Sequence, residues 1–200
     1  MFTNHCEADL HIGRIIGIDP GSTTLGCSML EYDVRTLEIT RLCAYTFNAD
    51  KMRLDELITL NHSERYARIL ALSDALHDVF VANPPNHIAC ESPFLKRRFP
   101  QAFAVLTEVV FGVRLAVRRY DPTMELDLVD PPTAKKAVGI VRKEDMSSKT
   151  KVHERLKALL HDKFDEAHSA ASFAELDEHS TDGGAIAYWR WKKLFDGCEA

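Results

Sequence analysis

Three acidic residues stand where a short apolar run ends or a helix begins, and carboxylates so placed can collect a divalent cation. Asp19 closes the run Arg14-Ile15-Ile16-Gly17-Ile18-Asp19 and leads into Pro20-Gly21-Ser22-Thr23-Thr24-Leu25-Gly26. Glu91 closes His87-Ile88-Ala89-Cys90-Glu91, ahead of Ser92-Pro93. Asp182 opens the last helical stretch, three residues after His179, a spacing that can place both on one helix face. A carboxylate ending an apolar run is expensive to bury unless a cation or a donor satisfies it. Magnesium takes hard oxygen ligands and keeps several waters, so three carboxylates from separated elements suit it. Taken singly, Asp19 fits a turn cap, Asp182 a helix N-cap and Glu91 an ion pair with an arginine. His179 alone fits a surface position. Only their joint arrangement singles them out.

The elements that must position these groups can be read from periodicity. Residues 14–19 form a buried strand stopped by Pro20-Gly21, and 25–33 with 37–47 suggest a hairpin. Residues 64–81 space Ile69, Leu72, Leu76 and Phe80 as an amphipathic helix, ended by Asn83-Pro84-Pro85-Asn86. A second buried strand covers 87–91. Pro100 suits the start of the next helix, whose stretch 102–117 is apolar on nearly all sides. Such a helix belongs in a core or against another copy of the chain. A strand at 124–129 precedes a brief helix from Pro131-Pro132 to Val138. Residues 148–160 are amphipathic, with Val152, Leu156 and Leu159 inward and Lys149, Lys151, Arg155 and Lys157 outward. A last helix is expected from about 181 to 195. The order is β-β-β-α-β-α-β-α-α, a mixed α/β layer architecture.

Composition narrows the partners. The chain has 200 residues, enough for one domain with a core. Its five cysteines are odd in number and without a C-x-x-C pair, which argues against a disulfide framework or zinc knuckle; Cys27 and Cys90 read as small core residues. No long apolar run suggests a membrane span, and the first residues carry no signal-peptide pattern. The net charge of −5 is unevenly spread. Residues 95–157 hold 14 Lys and Arg against 8 Asp and Glu, a balance of +6 that leaves −11 for the rest. That polarity fits a basic face for DNA beside an acidic metal pocket, or a solvated surface with chance clustering.

In order and spacing these motifs resemble the RuvC family of Holliday-junction resolvases, over Ile15 to about Tyr188. Gly17–Gly26 looks like the family's first motif, and Ile88-Ala89-Cys90-Glu91-Ser92-Pro93-Phe94 like its second. Lys135-Lys136-Ala137-Val138-Gly139 and Lys149-Thr150-Lys151-Val152 are similar to its DNA-contacting lysine segments. His179-Ser180-Thr181-Asp182-Gly183-Gly184-Ala185-Ile186-Ala187 resembles its closing motif. The resemblance implies an RNase H-like fold, a mixed central sheet flanked by helices, over 13–196 after a flexible extension at 1–12. It also implies a crossover junction endodeoxyribonuclease that makes paired symmetric nicks as a homodimer. Asp19, Glu91, His179 and Asp182 would form the catalytic and metal-binding set for two Mg2+, with Mn2+ able to substitute. Phe94, Lys96, Arg97, Arg98, Lys135, Lys136, Lys149 and Lys151 would contact DNA.

Further expectations follow from the resemblance. Phe94 either wedges into a distorted junction and stacks on a base or packs on the core. The helix 102–117 is the interface candidate, and Trp189 and Trp191 serve interface or core. A branch-migration helicase partner and a cytoplasmic site of action, in a bacterial cell or a phage-infected host, go with this reading. Two departures stand out. His179 replaces an acid of the closing motif; a neutral imidazole there can bind metal or assist proton transfer, and it shifts preference toward manganese. Gly183-Gly184 replaces larger residues at roughly 1 kcal/mol each relative to alanine, which suggests room for DNA or a neighbouring strand. The segment before Gly139 is one residue short, so Lys135 and Lys136 are interchangeable candidates. The competing readings are a broad branched-DNA debranching nuclease, an inactive DNA-binding relative, and a sugar-kinase/actin-like phosphate-binding module suggested by residues 19–24.

Overall fold

A computed structural model describes residues 11–94, 100–141 and 148–196. Lys96, Arg97 and Arg98 lie outside the described residues, as does most of the expected 1–12 extension. Five strands, β1 (Ile12–Asp19), β2 (Thr24–Asp33), β3 (Ile39–Asn48), β4 (His87–Glu91) and β5 (Leu126–Val129), form one sheet in the order β3-β2-β1-β4-β5. β1, β2 and β3 pair antiparallel, whereas β1 with β4 and β4 with β5 pair parallel. The mixed sheet therefore matches the expected α/β class. Helices α1 (Glu56–Asn61), α2 (Glu64–Ala82) and α3 (Pro100–Tyr120) precede and follow β4. Helices α4 (Pro131–Ala137), α5 (Lys149–Leu160) and α6 (Glu178–Asp196) follow β5.

Strand pleating divides the core into two layers. Ile16, Ile18, Cys27, Met29, Ile88 and Cys90 join Leu72, Leu76 and Phe80 of α2 and Val110, Val113 and Val117 of α3 on one face. Alternate residues Ile15 and Leu30 meet Val152, Leu156 and Leu160 of α5 and Ala185 and Ala187 of α6 on the other. Cys27 and Cys90 are fully buried, as their apolar setting suggested. The α2 periodicity also holds, since Ile69, Leu72, Leu76 and Phe80 are all buried. Ser63 caps α2 by accepting from the Tyr66 N–H, and Asp130 caps α4 ahead of a proline in its first turn.

Four sequence expectations need correction. On α5 the inward residue is Leu160, not Leu159: Leu160 is 2% exposed and Leu159 41%. The buried series Val152, Leu156, Leu160 steps by four, and Leu159 falls beside it. Helix α3 is not buried all round. It packs on α2 through one face and leaves Phe103 and Phe111 in solvent, Phe111 at 60% exposure. Helix α1 was not expected; Asp55 caps it, and Leu57 and Leu60 are exposed on its single turn and a half. Helix α6 begins three residues before the expected start, which moves Asp182 out of the capping position.

Candidate active site

Parallel pairing of β1 with β4 sets Ile18 beside Cys90. Both are fully buried in the α2–α3 layer, so the next residue on each strand, Asp19 and Glu91, turns toward α6. Two carboxylates from segments 72 positions apart thus end up side by side at the same edge of the sheet. The first turns of α6 bring the other two expected groups. Asp177 caps this helix, its Oδ1 accepting from the Ser180 N–H at 2.8 Å and from the Ser180 hydroxyl at 2.8 Å. His179 and Asp182 then follow one turn apart. The His179 Nδ1–H donates to Asp19 Oδ2 at 2.7 Å.

The helix can sit this low because the strands beneath it lack side chains where they touch it. A Cβ on Gly26 would lie 2.0 Å from the His179 carbonyl oxygen, and one on Gly17 would lie 2.2 Å from that of Gly183. Ser28, fully buried between them, donates its hydroxyl to the Ser180 carbonyl at 2.7 Å. Gly183 and Gly184 serve the same close packing. A Cβ on Gly183 would sit 3.1 Å from the Gly17 carbonyl oxygen, and one on Gly184 would sit 2.7 Å from Leu156 Cδ2 on α5. The space made by the glycine pair is filled by strand and helix, which decides between the two sequence-based alternatives.

Burial governs the electrostatics. Desolvation pushes the Asp182 carboxyl up to about 6, and the nearby acids Asp19 and Glu178 add to the rise. Lys135 and His179 oppose it without cancelling it. His179 is itself raised, first by its hydrogen bond to Asp19. The two lysines of α4 are therefore not equivalent: Lys135 is half-buried and faces Asp182, whereas Lys136 is exposed. Phe94, three residues beyond Glu91, is 49% exposed, so it does not pack into the core. Lys151 is exposed on α5 and lines a small cavity of about 260 Å³ with Arg155 and Gly139. Lys149 begins α5.

Among the described residues, no group of three His, Cys, Asp or Glu side chains is arranged to hold a metal ion. The chemistry of the donor set nevertheless fits a hard divalent cation. Asp19, Glu91 and Asp182 supply oxygens, and the raised Asp182 carboxyl is a buried acid whose charge the protein alone does not compensate. Three contributors escaped sequence reading. Asp177 carried a readable cap signal, an acid three residues before Ser180, whereas Ser28 and Gly26 act through contacts no local pattern discloses.

No protein-family model matches the chain, and no curated protein matches it by sequence. Solved structures do match. RuvC of T. thermophilus in complex with a Holliday junction substrate superimposes with a TM-score of 0.63 at 18% identity, covering 91% of this chain and 96% of that one. A second structure of Thermus thermophilus RuvC gives 0.58 at 19% identity, with 92% and 96% covered. The yeast mitochondrial Holliday junction resolvase Ydc2 gives 0.58 at 14% identity, with 92% and 82% covered. At near-complete coverage of both chains, the mixed five-stranded sheet flanked by helices has the RNase H-like fold of these RuvC structures.

Proposed function

We propose that this protein is a metal-dependent endonuclease that resolves four-way DNA junctions by paired, symmetric nicks. The observation that carries the reading is the convergence of Asp19, Glu91, His179 and Asp182 at one sheet edge, in a fold shared with a RuvC structure that holds a Holliday junction. Asp19, Glu91 and Asp182 would hold two magnesium or manganese ions. Such a pair supplies an activated water and stabilises the departing 3′ oxygen, which leaves a 5′ phosphate and a ligatable 3′ hydroxyl. The His179 Nδ1–H orients Asp19, and Lys135 moderates the negative charge at Asp182. Phe94, exposed just beyond Glu91, stacks on a base at the branch point. Lys136, Lys149 and Lys151, with Lys96, Arg97 and Arg98, hold flanking phosphates, so binding weakens steeply with salt. Two nicks related by symmetry call for two sites, and α3, with Phe103 and Phe111 exposed, offers an apolar surface for a second copy.

The deciding experiment incubates the protein with labelled four-way junction, Y-fork and linear duplex in magnesium or manganese, beside Asp19→Asn. Symmetric junction nicking that the substitution abolishes supports the proposal. Equal cutting of forks and junctions would widen the substrate to branched DNA in general. His179, standing where the closing motif has an acid, favours one other reading, a junction-binding protein without catalysis. Tight junction binding with no cut in either metal would establish that instead.

A further inference from the structure

The sheet edge that carries Asp19 and Glu91 continues past them to the end of β3. Strand order and register set Asn48, Thr24, Asp19 and Glu91 along that edge, at the ends of β3, β2, β1 and β4. We propose that Lys51, just beyond the β3 end of this row, grips a backbone phosphate of the DNA strand being cut, and that Arg53 takes the next one. The strand is then held on both sides of the scissile bond. The inference rests on the nuclease reading and adds to it the path of the strand.

Neighbouring strands lie about 4.8 Å apart, so β3, two strands from β1, ends roughly 10 Å from Asp19. A 3-10 turn at Ala49–Lys51 follows it, with Ala49 buried and Asn48 capping the turn by accepting from the Asp50 N–H at 3.0 Å. This turn presents exposed Lys51 to an open cavity of about 710 Å³ that Thr24, Thr46, Asn48, Glu178 and His179 also line. His179 belongs to the cavity and to the active site, so the two are continuous. Among the described residues, neither Lys51 nor Arg53 carries an ion pair, and both are exposed. The acid beside Lys51, Asp50, is committed to Arg68 at 3.2 Å. Within the cavity, Asp177 is engaged by Ser180 and Thr46, and Glu178 Oε1 lies 3.8 Å from His179 Nε2. Two acids there repel a phosphate from the interior, which leaves the Lys51 ammonium as the point where a backbone can be held. A flexible lysine and a planar guanidinium both suit phosphate and read charge without reading sequence. Phe94 stands on the other side of the acids. Its segment leaves β4 toward β5, since the Ser92 N–H donates to the Val129 carbonyl at 2.8 Å. A strand running from Phe94 to Lys51 therefore crosses Glu91 and Asp19 on its way.

Four-way junctions with one uncharged methylphosphonate linkage, moved stepwise along a strand through the branch point, test this by binding to Asp19→Asn protein with and without Lys51→Gln. Each phosphate contact steepens the fall of log affinity with log salt by about 0.9. Lys51→Gln should flatten the slope by that amount, so the affinity lost over a fourfold rise in salt shrinks about 3.5-fold, and Arg53→Gln should add as much again. A neutral linkage on one side of the branch point should weaken binding to Asp19→Asn protein and have no further effect once Lys51→Gln is present. Linkages on the other side should weaken both proteins alike. A salt slope unmoved by Lys51→Gln, or linkages that weaken both proteins alike at every position, would overturn the proposal. Junction nicking by the parent protein alongside either result would keep the nuclease reading and discard the path. Absence of nicking with the Lys51-dependent linkage effect intact would remove the nuclease reading and keep the path, and absence of junction binding would overturn both.

Discussion

Ile16, Ile18, Ile88 and Cys90 enter the layer beneath α2 and α3, while their immediate neighbours Gly17, Asp19, Ala89 and Glu91 face α6. The same two strands thus build both faces. On the α2–α3 side, large apolar side chains hold the helices at full side-chain distance. On the α6 side, backbone meets backbone at Gly17 and Gly26, a buried hydroxyl stands at Ser28, and an acid is desolvated by more than Lys135 and His179 offset. One face supplies stability and the other gives some of it up to place four ionisable groups together.

The difference is most easily broken by exchanging the two kinds of loss. Asp19→Asn should lower junction nicking by at least about 10²–10³-fold, the scale expected when one preorganised charged group is removed, with melting and fold retained. Leu76→Ala, from the centre of the opposite layer, should do the reverse. It should cost about 2–5 kcal/mol of stability while nicking per folded molecule stays near normal. Denaturant titration beside single-turnover nicking checks both, and a Leu76→Ala protein that folds but cannot cut would collapse the distinction.

Gly17→Ala should damage both properties at once. Its Cβ would lie 2.2 Å from a backbone oxygen, so no side-chain rotation relieves the clash and α6 must lift. A loss of about 3 kcal/mol is expected. With His179 and Asp182 carried away from Asp19, nicking should fall in the molecules that still fold.

Asp182→Asn separates the two roles of one residue. Its folded carboxyl is raised to about 6 from an ordinary 3.8, so the folded state binds the proton more tightly than the unfolded one. The resulting penalty is absent below about pH 4, grows as pH rises through 6, and is constant above. Removing the charge should therefore stabilise the metal-free protein by roughly 2–3 kcal/mol at pH 8, with the gain gone at pH 4. Urea unfolding in chelator at both pH values measures it. Magnesium should raise the midpoint of the parent protein at pH 8 and leave Asp182→Asn unmoved. His179 contributes with the same sign, since its raised folded pKa gives stability that is lost as pH climbs through it.

Much of this was legible in the sequence because strands buried on both faces leave continuous apolar runs, and the acids stand at their ends. Asp19 and Glu91 could be placed that way, and the His179–Asp182 spacing follows from helix geometry alone. Phe94 could be read in two ways because exposure depends on what the rest of the chain leaves uncovered. The choice between Lys135 and Lys136 needed the orientation of a seven-residue helix against α6. The seat of α6 was hidden for a different reason. Ser28 and Ser180 are 152 positions apart, and nothing local marks a serine inside an otherwise apolar strand. The misassigned Leu159 shows the limit of periodicity, since 152, 156 and 159 or 160 fit a helical stripe almost equally.

Gly184 offers the finest test of how close packing is arranged on the site face. Unlike Gly17, it meets a side chain: an added Cβ would come within 2.7 Å of Leu156 Cδ2, the far end of a rotatable group. Alanine also favours the helix over glycine by about 1 kcal/mol, which opposes the crowding. Gly184→Ala should consequently shift the melting temperature by less than about 4 °C, the change that 1 kcal/mol produces in a domain of this size. Junction nicking should persist, because α5 can yield while α6 stays on the strands. Combined with Leu156→Val, which relieves the crowding, the alanine should recover part of any loss. A defect as large as that of Gly17→Ala would mean that α6 is held rigidly from both sides, and that α5 as well as the sheet sets the distance between Asp182 and Asp19.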